Sequence, residues 1–304
     1  MRINTINPSF KGYYKEKNEY KNIEITENKS ASKLSYIETP SQKDLITYIK
    51  PLQKAPTELL EGQFLGTDNQ IFNRGTTEFA RPDIDWGEFK QYLQNRFQDK
   101  EKVNVFNWAC STGEETLTLA MLLKSSFKDS DKFFPIKAGD IDNDRLISNT
   151  IRQKIGTPVN YSTCFRLQNS LALKDDDIKR FFKQQNHIIY INDEILNSIE
   201  YKFSNILTDL DSINSDVPSL IMARNMWLYV DSSKYEEFAQ KLYDKLATGS
   251  TLVIGIHDCL GEAGVENSAS FPEALKKAGF KPINTAKGAV FDCLKKCDSI
   301  IFEK

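Results

Sequence analysis

Apolar residues change their spacing sharply within residues 103–123, and this change organises the prediction for the whole chain. Residues 103–108 are mostly apolar and β-prone, small residues follow at 109–113, and apolar side chains then recur at helical spacing from Leu117 to Leu123. This pattern predicts a buried strand, a tight turn and a helix. Such a turn leaves helix N–H groups without partners and lets a ligand approach the backbone closely. We therefore predict a ligand site here, as at the strand-to-helix turns of parallel α/β sheets.

The same alternation of strands and helices continues along the chain. Apolar runs predict strands at residues 133–141, 187–191, 199–203, 218–224, 251–256, 280–286 and 299–302. Helical spacing predicts a helix from Pro82 and Asp83 onward, a helix that Asp231 caps and Gly249 ends, and a helix at 271–278 that Gly279 ends. About seven strands with helices between most of them indicate an α/β fold, a Rossmann-like sheet covered on both faces.

Composition divides the chain around this sheet. Residues 1–40 are rich in Lys, Asn, Glu and Ser and predict a mobile tail, with a docking arm as the alternative. Residues 41–100 predict a small helical N-terminal domain. Residues 101–304 predict the sheet domain, in which 157–204 break the alternation and form an inserted subdomain before the chain returns to the main sheet.

The net charge, the apolar runs and the few cysteines and histidines argue against several classes of function. A net charge of −2 gives no reason to expect nucleic acid, and no apolar run approaches the roughly 20 residues that span a bilayer. The five cysteines form no C-x-x-C pair, which predicts reduced thiols and a cytoplasmic protein. Two histidines argue against a zinc site or a histidine triad, and we predict no metal.

The turn itself suggests which ligand it takes. It carries a single glycine, so it matches no dinucleotide fingerprint, and the chain contains no P-loop. Glu114 and Glu115 suit the helix dipole, but as ligand contacts they favour hydroxyls and positive charge. Asp140, at the end of the second predicted strand, is placed to accept hydrogen bonds from ribose hydroxyls. The alternative is that it caps the next helix, although Asp142 or Asn143 could do so instead.

These residues carry a family resemblance. Residues 105–120 (VFNWACSTGEETLTLA) resemble the first motif of the CheR-type chemotaxis methyltransferases, which are protein-glutamate O-methyltransferases. Four further stretches resemble family motifs in the same order, namely 77–81 (TEFAR), 138–142 (AGDID), 203–207 (FSNIL) and 223–231 (ARNMWLYVD). Residues 180–182 (RFF) also fall where the family has R-Y-F. The resemblance runs from about residue 76 to 255.

The resemblance implies a fold, a cofactor and a partner. The family has a helical N-terminal domain and a class I methyltransferase domain with an inserted β-subdomain, which correspond to the regions predicted above. Its cofactor is S-adenosylmethionine, with S-adenosylhomocysteine as the product. The implied partner is the cytoplasmic part of a chemoreceptor-like protein, and we expect a monomer.

Site residues follow from the matched motifs. Cofactor contacts are implied for Thr77, Arg81, Ala109, Gly113, Glu115, Asp140, Asn205, Ile206, Asn225 and Tyr229. Glu115 would meet the methionine or ribose part, Asp140 the ribose, and Asn205 with Ile206 the adenine. Arg81 and Tyr229 are the implied catalytic residues. Arg81 would clamp the acceptor carboxylate in a bidentate fork, and Tyr229 would hold the cofactor or the acceptor.

Single residues allow other interpretations, and several positions differ from the family motifs. Without the resemblance, Arg81 reads as a surface residue and Tyr229 as a core aromatic. We expect Asn225 and Tyr229 to share a helical face, since they are four apart. The family pattern is altered at Gly75, Ala80, Ala109, Trp227 and 255–258, and Lys43, Lys50 and Lys54 make only a thin basic docking surface. The leading hypothesis is a methyltransferase for protein carboxylates. The alternatives are another acceptor, such as a small carboxylic acid, or a non-catalytic signalling adaptor.

Overall fold

A computed structural model describes the backbone of residues 63–65 and 71–73 and the chain at 77–207, 209–261, 269–283 and 299–304. Outside these residues lie the predicted tail, residues 41–61 of the predicted helical domain, Gly75, and the three lysines Lys43, Lys50 and Lys54. The described residues all belong to one unit of the chain, residues 51–304.

Twelve strands and eight α-helices are present in the described part of the chain. The strands are β1 (Gln63–Leu65), β2 (Ile71–Asn73), β3 (Asn104–Trp108), β4 (Ile136–Asp140), β5 (Thr157–Val159), β6 (Phe182–Gln185), β7 (Ile188–Ile191), β8 (Ile199–Phe203), β9 (Ser219–Ala223), β10 (Thr251–Ile254), β11 (Lys281–Ile283) and β12 (Ile301–Glu303). The helices are α1 (Trp86–Phe97), α2 (Glu114–Ser126), α3 (Asn143–Ile155), α4 (Tyr161–Ser170), α5 (Asp175–Phe181), α6 (Asp193–Leu196), α7 (Tyr235–Lys245) and α8 (Phe271–Ala278).

Seven of the strands form the predicted sheet, in the order β11-β12-β10-β9-β3-β4-β8. Strands β8, β4, β3, β9 and β10 run parallel, and β12 joins β10 antiparallel, with β11 beyond it. Every residue of β9 and β10 is buried, as expected for the centre of a parallel sheet. The mixed α/β fold with a mostly parallel seven-stranded sheet confirms the predicted fold class.

Parallel pairing decides where the candidate site residues lie. The carboxyl ends of β3, β4, β8, β9 and β10 meet at one edge of the sheet, because neighbouring strands run in the same direction. The connections that leave these ends are residues 109–113, 141–142, 204–207, 224–226 and 255–258. In open α/β sheets this edge is where ligands bind.

A second, smaller sheet lies between β4 and β8 in the chain. Strands β5, β7 and β6 pair antiparallel in that order, and α4 to α6 belong to the same stretch. Strand β8 pairs with β4, so the return to the main sheet takes place at Ile199–Phe203, as predicted.

Several predicted boundaries are wrong for local reasons. Helix α1 begins at Trp86 rather than at Pro82, because the Asp85 side chain accepts the N–H groups of Gly87 and Glu88. The second predicted strand begins only at Ile136, since Ser130–Phe133 form a 3-10 turn. Helix α7 ends at Lys245, and Gly249, with φ of +95°, lies in the turn before β10 instead of ending the helix.

Two expectations about the flanking regions also change. The pair β1–β2 is an antiparallel hairpin within the stretch that we predicted to be helical. Cys259 takes part in a disulfide bond, whereas Cys110 and Cys164 are free thiols, so the expectation of reduced thiols throughout is wrong. Among the described helices, none combines the length and apolar character needed to cross a membrane.

Candidate active site

The turn after β3 has an unusual backbone. Ala109, Ser111 and Gly113 all have positive φ, at +53°, +50° and +83°. Gly113 occupies the position before α2, where no side chain caps the helix. A Cβ atom on Gly113 would lie 2.7 Å from the Tyr201 hydroxyl oxygen, so this side of the turn faces β8. Ala109 is exposed, whereas residues 110–113 are buried. Of the two cofactor contacts predicted in this turn, Ala109 and Gly113, Ala109 is therefore the one that is open to a ligand.

Asp140 joins the first two turns of the sheet edge. One carboxylate oxygen accepts the Ser111 N–H at 2.7 Å and the other accepts the Asp142 N–H at 2.9 Å. Burial raises the pKa of Asp140, and the two backbone N–H groups oppose this shift. The cap of α3 is Asp142, so the reading of Asp140 as a helix cap is wrong. A carboxylate offers about four acceptor sites, so Asp140 can still accept from ligand hydroxyls.

The two acids at the start of α2 have partners within the protein. Glu114 pairs with Arg152 at 3.3 Å and is almost completely buried, and burial raises its pKa. Glu115 pairs with Arg224 at 2.5 Å and accepts from the Asn107 side-chain amide at 2.9 Å. The side chain of Glu115 keeps 15% exposure against 3% for Glu114, so Glu115 alone of the two is open to a ligand.

Arg224 links this edge to the segment before α1. Its guanidinium is 1% exposed, binds Asp83 as well as Glu115, and lies 5.9 Å from the centre of the Trp86 ring. The Ala80 N–H donates to the Thr118 hydroxyl at 3.1 Å, which fixes the same segment on α2. Arg224 is a residue of this candidate site that our sequence reasoning did not single out.

The predicted residues Thr77 and Arg81 lie on that segment. Both are half-buried, and the Arg81 carbonyl accepts the Trp86 indole N–H at 3.0 Å. Between them, Glu78 binds Arg166 of α4 at 2.9 Å. The segment is therefore held from α2, from α4 and through Arg224, which gives Arg81 a fixed backbone.

The connection after β9 carries Asn225 and Tyr229. Asn225 has φ of +56° and precedes the 3-10 turn Trp227–Tyr229, so the expected helical face shared by the two residues is wrong. The Asn225 side-chain oxygen accepts the His257 N–H at 3.3 Å. Its side-chain nitrogen is buried and has no hydrogen-bond partner among the described residues. Such a donor needs an acceptor, and a bound ligand would supply one.

Asp258 lies beneath this connection. It is fully buried and accepts the N–H groups of Gly255 and Asn225 at 2.7 Å and that of Trp227 at 2.8 Å. Burial raises the pKa of Asp258 to about 7, although these hydrogen bonds oppose the shift. From the sequence we saw this position only as part of an altered motif.

Two other predicted features are placed by packing. Trp227, a bulky departure from the family pattern, is fully buried and stacks on Phe271 with ring centres 3.7 Å apart. It therefore belongs to the core and leaves the site open. Asn205 forms a turn after β8 by accepting the Leu207 N–H at 3.1 Å, and Ile206 is buried beside it.

The donors and acceptors at this edge fit S-adenosylmethionine. Asp140 can accept from the ribose hydroxyls, and the buried Asn225 nitrogen can donate to an acceptor of the ligand. The uncapped start of α2 leaves backbone N–H groups toward the same edge. Glu115, which is partly exposed, can meet a positive charge or a hydroxyl.

Comparison with known proteins also points to a methyltransferase that binds S-adenosylmethionine. A model of the "CheR methyltransferase, SAM binding domain" matches residues 75–273. Chemotaxis protein methyltransferases of Listeria innocua and Listeria monocytogenes are each 25% identical over 167 residues, which cover 55% of this chain and 58% of theirs. The chain thus spans little more than half the length of these curated relatives.

Solved structures of methyltransferases also match at low similarity. A TehB-like SAM-dependent methyltransferase from Corynebacterium glutamicum is 13% identical, with a TM-score of 0.37 over 76% of this chain and 90% of that one. SAM-bound CalS10, an amino pentose methyltransferase from Micromonospora echinaspora, is 10% identical, with a TM-score of 0.31 over 56% and 48%.

Proposed function

The chain belongs to the CheR methyltransferase family, and we propose that it methylates glutamate carboxylates of a chemoreceptor-like protein. S-adenosylmethionine is the cofactor of the matched domain. The observation that carries the proposal is that the family match covers every connection at the carboxyl edge of the parallel strands. The two Listeria relatives named above support the choice of acceptor.

The chemistry asks the protein to bind and align rather than to move protons. When bound, S-adenosylmethionine supplies a methyl group on a positively charged sulfur, which the acceptor oxygen takes, leaving S-adenosylhomocysteine. A glutamate side chain has a reference pKa near 4.3, so at neutral pH it is ionised without a general base. Holding the reacting groups in line can contribute roughly 7–11 kcal/mol.

Each predicted residue has a role in this alignment. Asp140 accepts the ribose hydroxyls, Glu115 meets the methionine or ribose part, and Asn225 donates from its buried amide. Arg81 holds the acceptor carboxylate in a bidentate fork. Its backbone is held in place because the neighbouring Ala80 N–H donates to Thr118 of α2. Tyr229, half-buried after β9, holds the cofactor or the acceptor beside it.

Three further assignments complete the proposed site. Asn205 and Ile206 flank the adenine from the turn after β8, and Thr77 reaches in beside Arg81. Ala109 and Gly113 shape the turn on which the methionine part rests. The monomeric state and the cytoplasmic location stay predictions.

Methyl transfer to a receptor fragment tests the proposal. The purified chain is incubated with S-adenosylmethionine carrying a radioactive methyl group and the cytoplasmic fragment of a chemoreceptor. We expect a radioactive methyl ester on the receptor that base releases as methanol, and no such ester on a fragment whose acceptor glutamates are changed to glutamine. Turnover with small carboxylic acids alone would favour the other-acceptor hypothesis. No S-adenosylhomocysteine with any acceptor would favour the adaptor hypothesis.

A further inference from the structure

The carboxylate of Asp258 is surrounded by backbone donors from two connections of the sheet edge. Gly255 lies at the end of β10, whereas Asn225 and Trp227 belong to the connection after β9. All three donate N–H groups to the Asp258 carboxylate over 2.7–2.8 Å. One side chain therefore holds the backbone that leads from Asn225 to Tyr229.

Only the ionised carboxylate can accept all of these N–H groups, although burying its charge lowers the stability of the fold and raises the pKa of Asp258. A carboxylate accepts at both oxygens, whereas a protonated carboxyl would direct its own O–H toward groups that can only donate. An amide in its place would have the same defect, because its NH₂ group would meet N–H donors. Asn225 also has φ of +56°, a backbone conformation that is uncommon outside glycine and that Asn and Asp adopt most readily among the other residues.

Asp258 also lies where two backbones approach each other closely. A Cβ atom at Gly255 would come within 2.0 Å of the Asn225 side-chain oxygen and 2.5 Å of its backbone nitrogen. The connections after β9 and β10 are thus packed directly against each other at this point, so a displacement of one would displace the other. A shift of about 1 Å in a residue that aligns reacting groups can lower the rate about 100-fold.

We propose that Asp258 is a positioning residue for methyl transfer, which holds the connection that carries Asn225 and Tyr229 at the reacting groups. This inference rests on the proposed function. Asp258 itself touches neither cofactor nor acceptor, since it is fully buried beneath the connection.

Within the described residues, the other titratable groups near Asp258 are the following. His257 precedes it and is exposed, and Tyr229 ends the 3-10 turn packed on it. On α8, which packs against the same stretch, Lys276 pairs with Glu273 and Lys277 with Glu236. Arg224 is held by Glu115 and Asp83. Because His257 is adjacent to Asp258 in the chain, its signal must be separated from that of Asp258.

Amide NMR of the full chain tests the inference without methyl transfer. In the wild-type protein and in H257Q, we expect the amide resonances of Gly255, Asn225 and Trp227 to shift together with one midpoint, about pH 7. In D258N this common shift should be absent. Amide resonances of Gly255, Asn225 and Trp227 that have the same positions in D258N as in the wild-type protein at every pH between about 5 and 9 would overturn the inference.

Kinetics then link the connection to catalysis. With a receptor fragment as acceptor, kcat of H257Q should rise as pH passes through about 7, and kcat of D258N should be about 100-fold lower with no such rise. An active wild-type enzyme whose D258N variant keeps the same kcat and pH profile would overturn the positioning role. If the wild-type protein transfers no methyl to any acceptor, the proposed function is wrong, and the NMR titration still decides what Asp258 does to the connection.

Discussion

Arg224 donates to the carboxylate of Glu115 across 2.5 Å, although the two residues are 109 positions apart in the chain. The same guanidinium binds Asp83, which lies two residues after Arg81. A single buried cation therefore connects the start of α2, where we propose the cofactor binds, to the segment that carries the proposed acceptor clamp.

Removing Arg224 should weaken the fold strongly. In R224A, the carboxylates of Glu115 and Asp83 would remain at the sheet edge without their cation, and breaking a buried ion pair from one side typically costs about 3–5 kcal/mol. We expect a loss of this size in the free energy of unfolding measured with urea. The control is K241A, which breaks the exposed pair with Glu237 and should change stability by no more than about 0.5 kcal/mol. Equal effects of the two changes would contradict the role of Arg224.

Asp140 should be required for cofactor binding. In D140A, the ribose hydroxyls lose their acceptor and the Ser111 and Asp142 N–H groups lose theirs. Because hydrogen bonds to a charged group contribute about 1.5–3 kcal/mol each, we expect no binding of S-adenosylhomocysteine in calorimetry. D144A removes an exposed carboxylate from the first turn of α3 and should bind normally. Unchanged affinity in D140A would show that the ribose lies elsewhere.

Arg81 should be required for transfer but not for cofactor binding. R81A removes the fork that we propose holds the acceptor carboxylate, so methyl transfer to a receptor fragment should fall by at least about 100-fold. Calorimetry with S-adenosylhomocysteine should show binding close to that of the wild-type protein. R81K keeps the charge but loses the bidentate geometry, and its rate should lie between the two. Normal transfer by R81A would refute the proposed mechanism.

Local patterns predicted the fold better than the site. Apolar spacing located the strands of the sheet, and parallel strands bring their carboxyl ends together, so the edge that holds Asp140 and Asn225 could be predicted. Gly279 ends α8 as predicted, because a left-handed C-terminal residue has a local signature. Gly249 also has positive φ, but the sequence alone could not show that this glycine lies in a turn before β10 and not at the end of α7.

The residues that hold the site together have no local signature. Arg224 and Asp258 act on partners distant in the chain, and each is a single charged residue beside an apolar run. Sequence spacing is informative about neighbours on one element, whereas these contacts depend on the sheet order. The same limit explains Trp227, whose stacking partner Phe271 comes more than forty residues later.

Asp258 should make stability depend on pH in a predictable direction. Its pKa is raised from the ordinary 3.8 to about 7 in the folded chain, so the folded state holds this proton more tightly than the unfolded state. The stabilisation is therefore complete below about pH 4 and is lost as pH rises through about 7. In urea unfolding, the free energy of unfolding of the wild-type protein, relative to that of D258N, should therefore decrease as pH rises from about 4 to about 7. A difference that stays constant or grows with pH would contradict the raised pKa.

Gly255 should tolerate no side chain, because the Asn225 backbone and side chain occupy the space. In G255A, the new methyl group would lie 2.0 Å from the Asn225 side-chain oxygen, so the connection after β9 must move. We expect about 1–3 kcal/mol of destabilisation and a loss of methyl transfer greater than the loss of S-adenosylhomocysteine binding. The matched control is G87A, in the first turn of α1, where the added methyl group meets only the Asp85 carboxylate at 3.3 Å. G87A should keep wild-type transfer, and G255A doing the same would show that the position of Asn225 is not critical for the reaction.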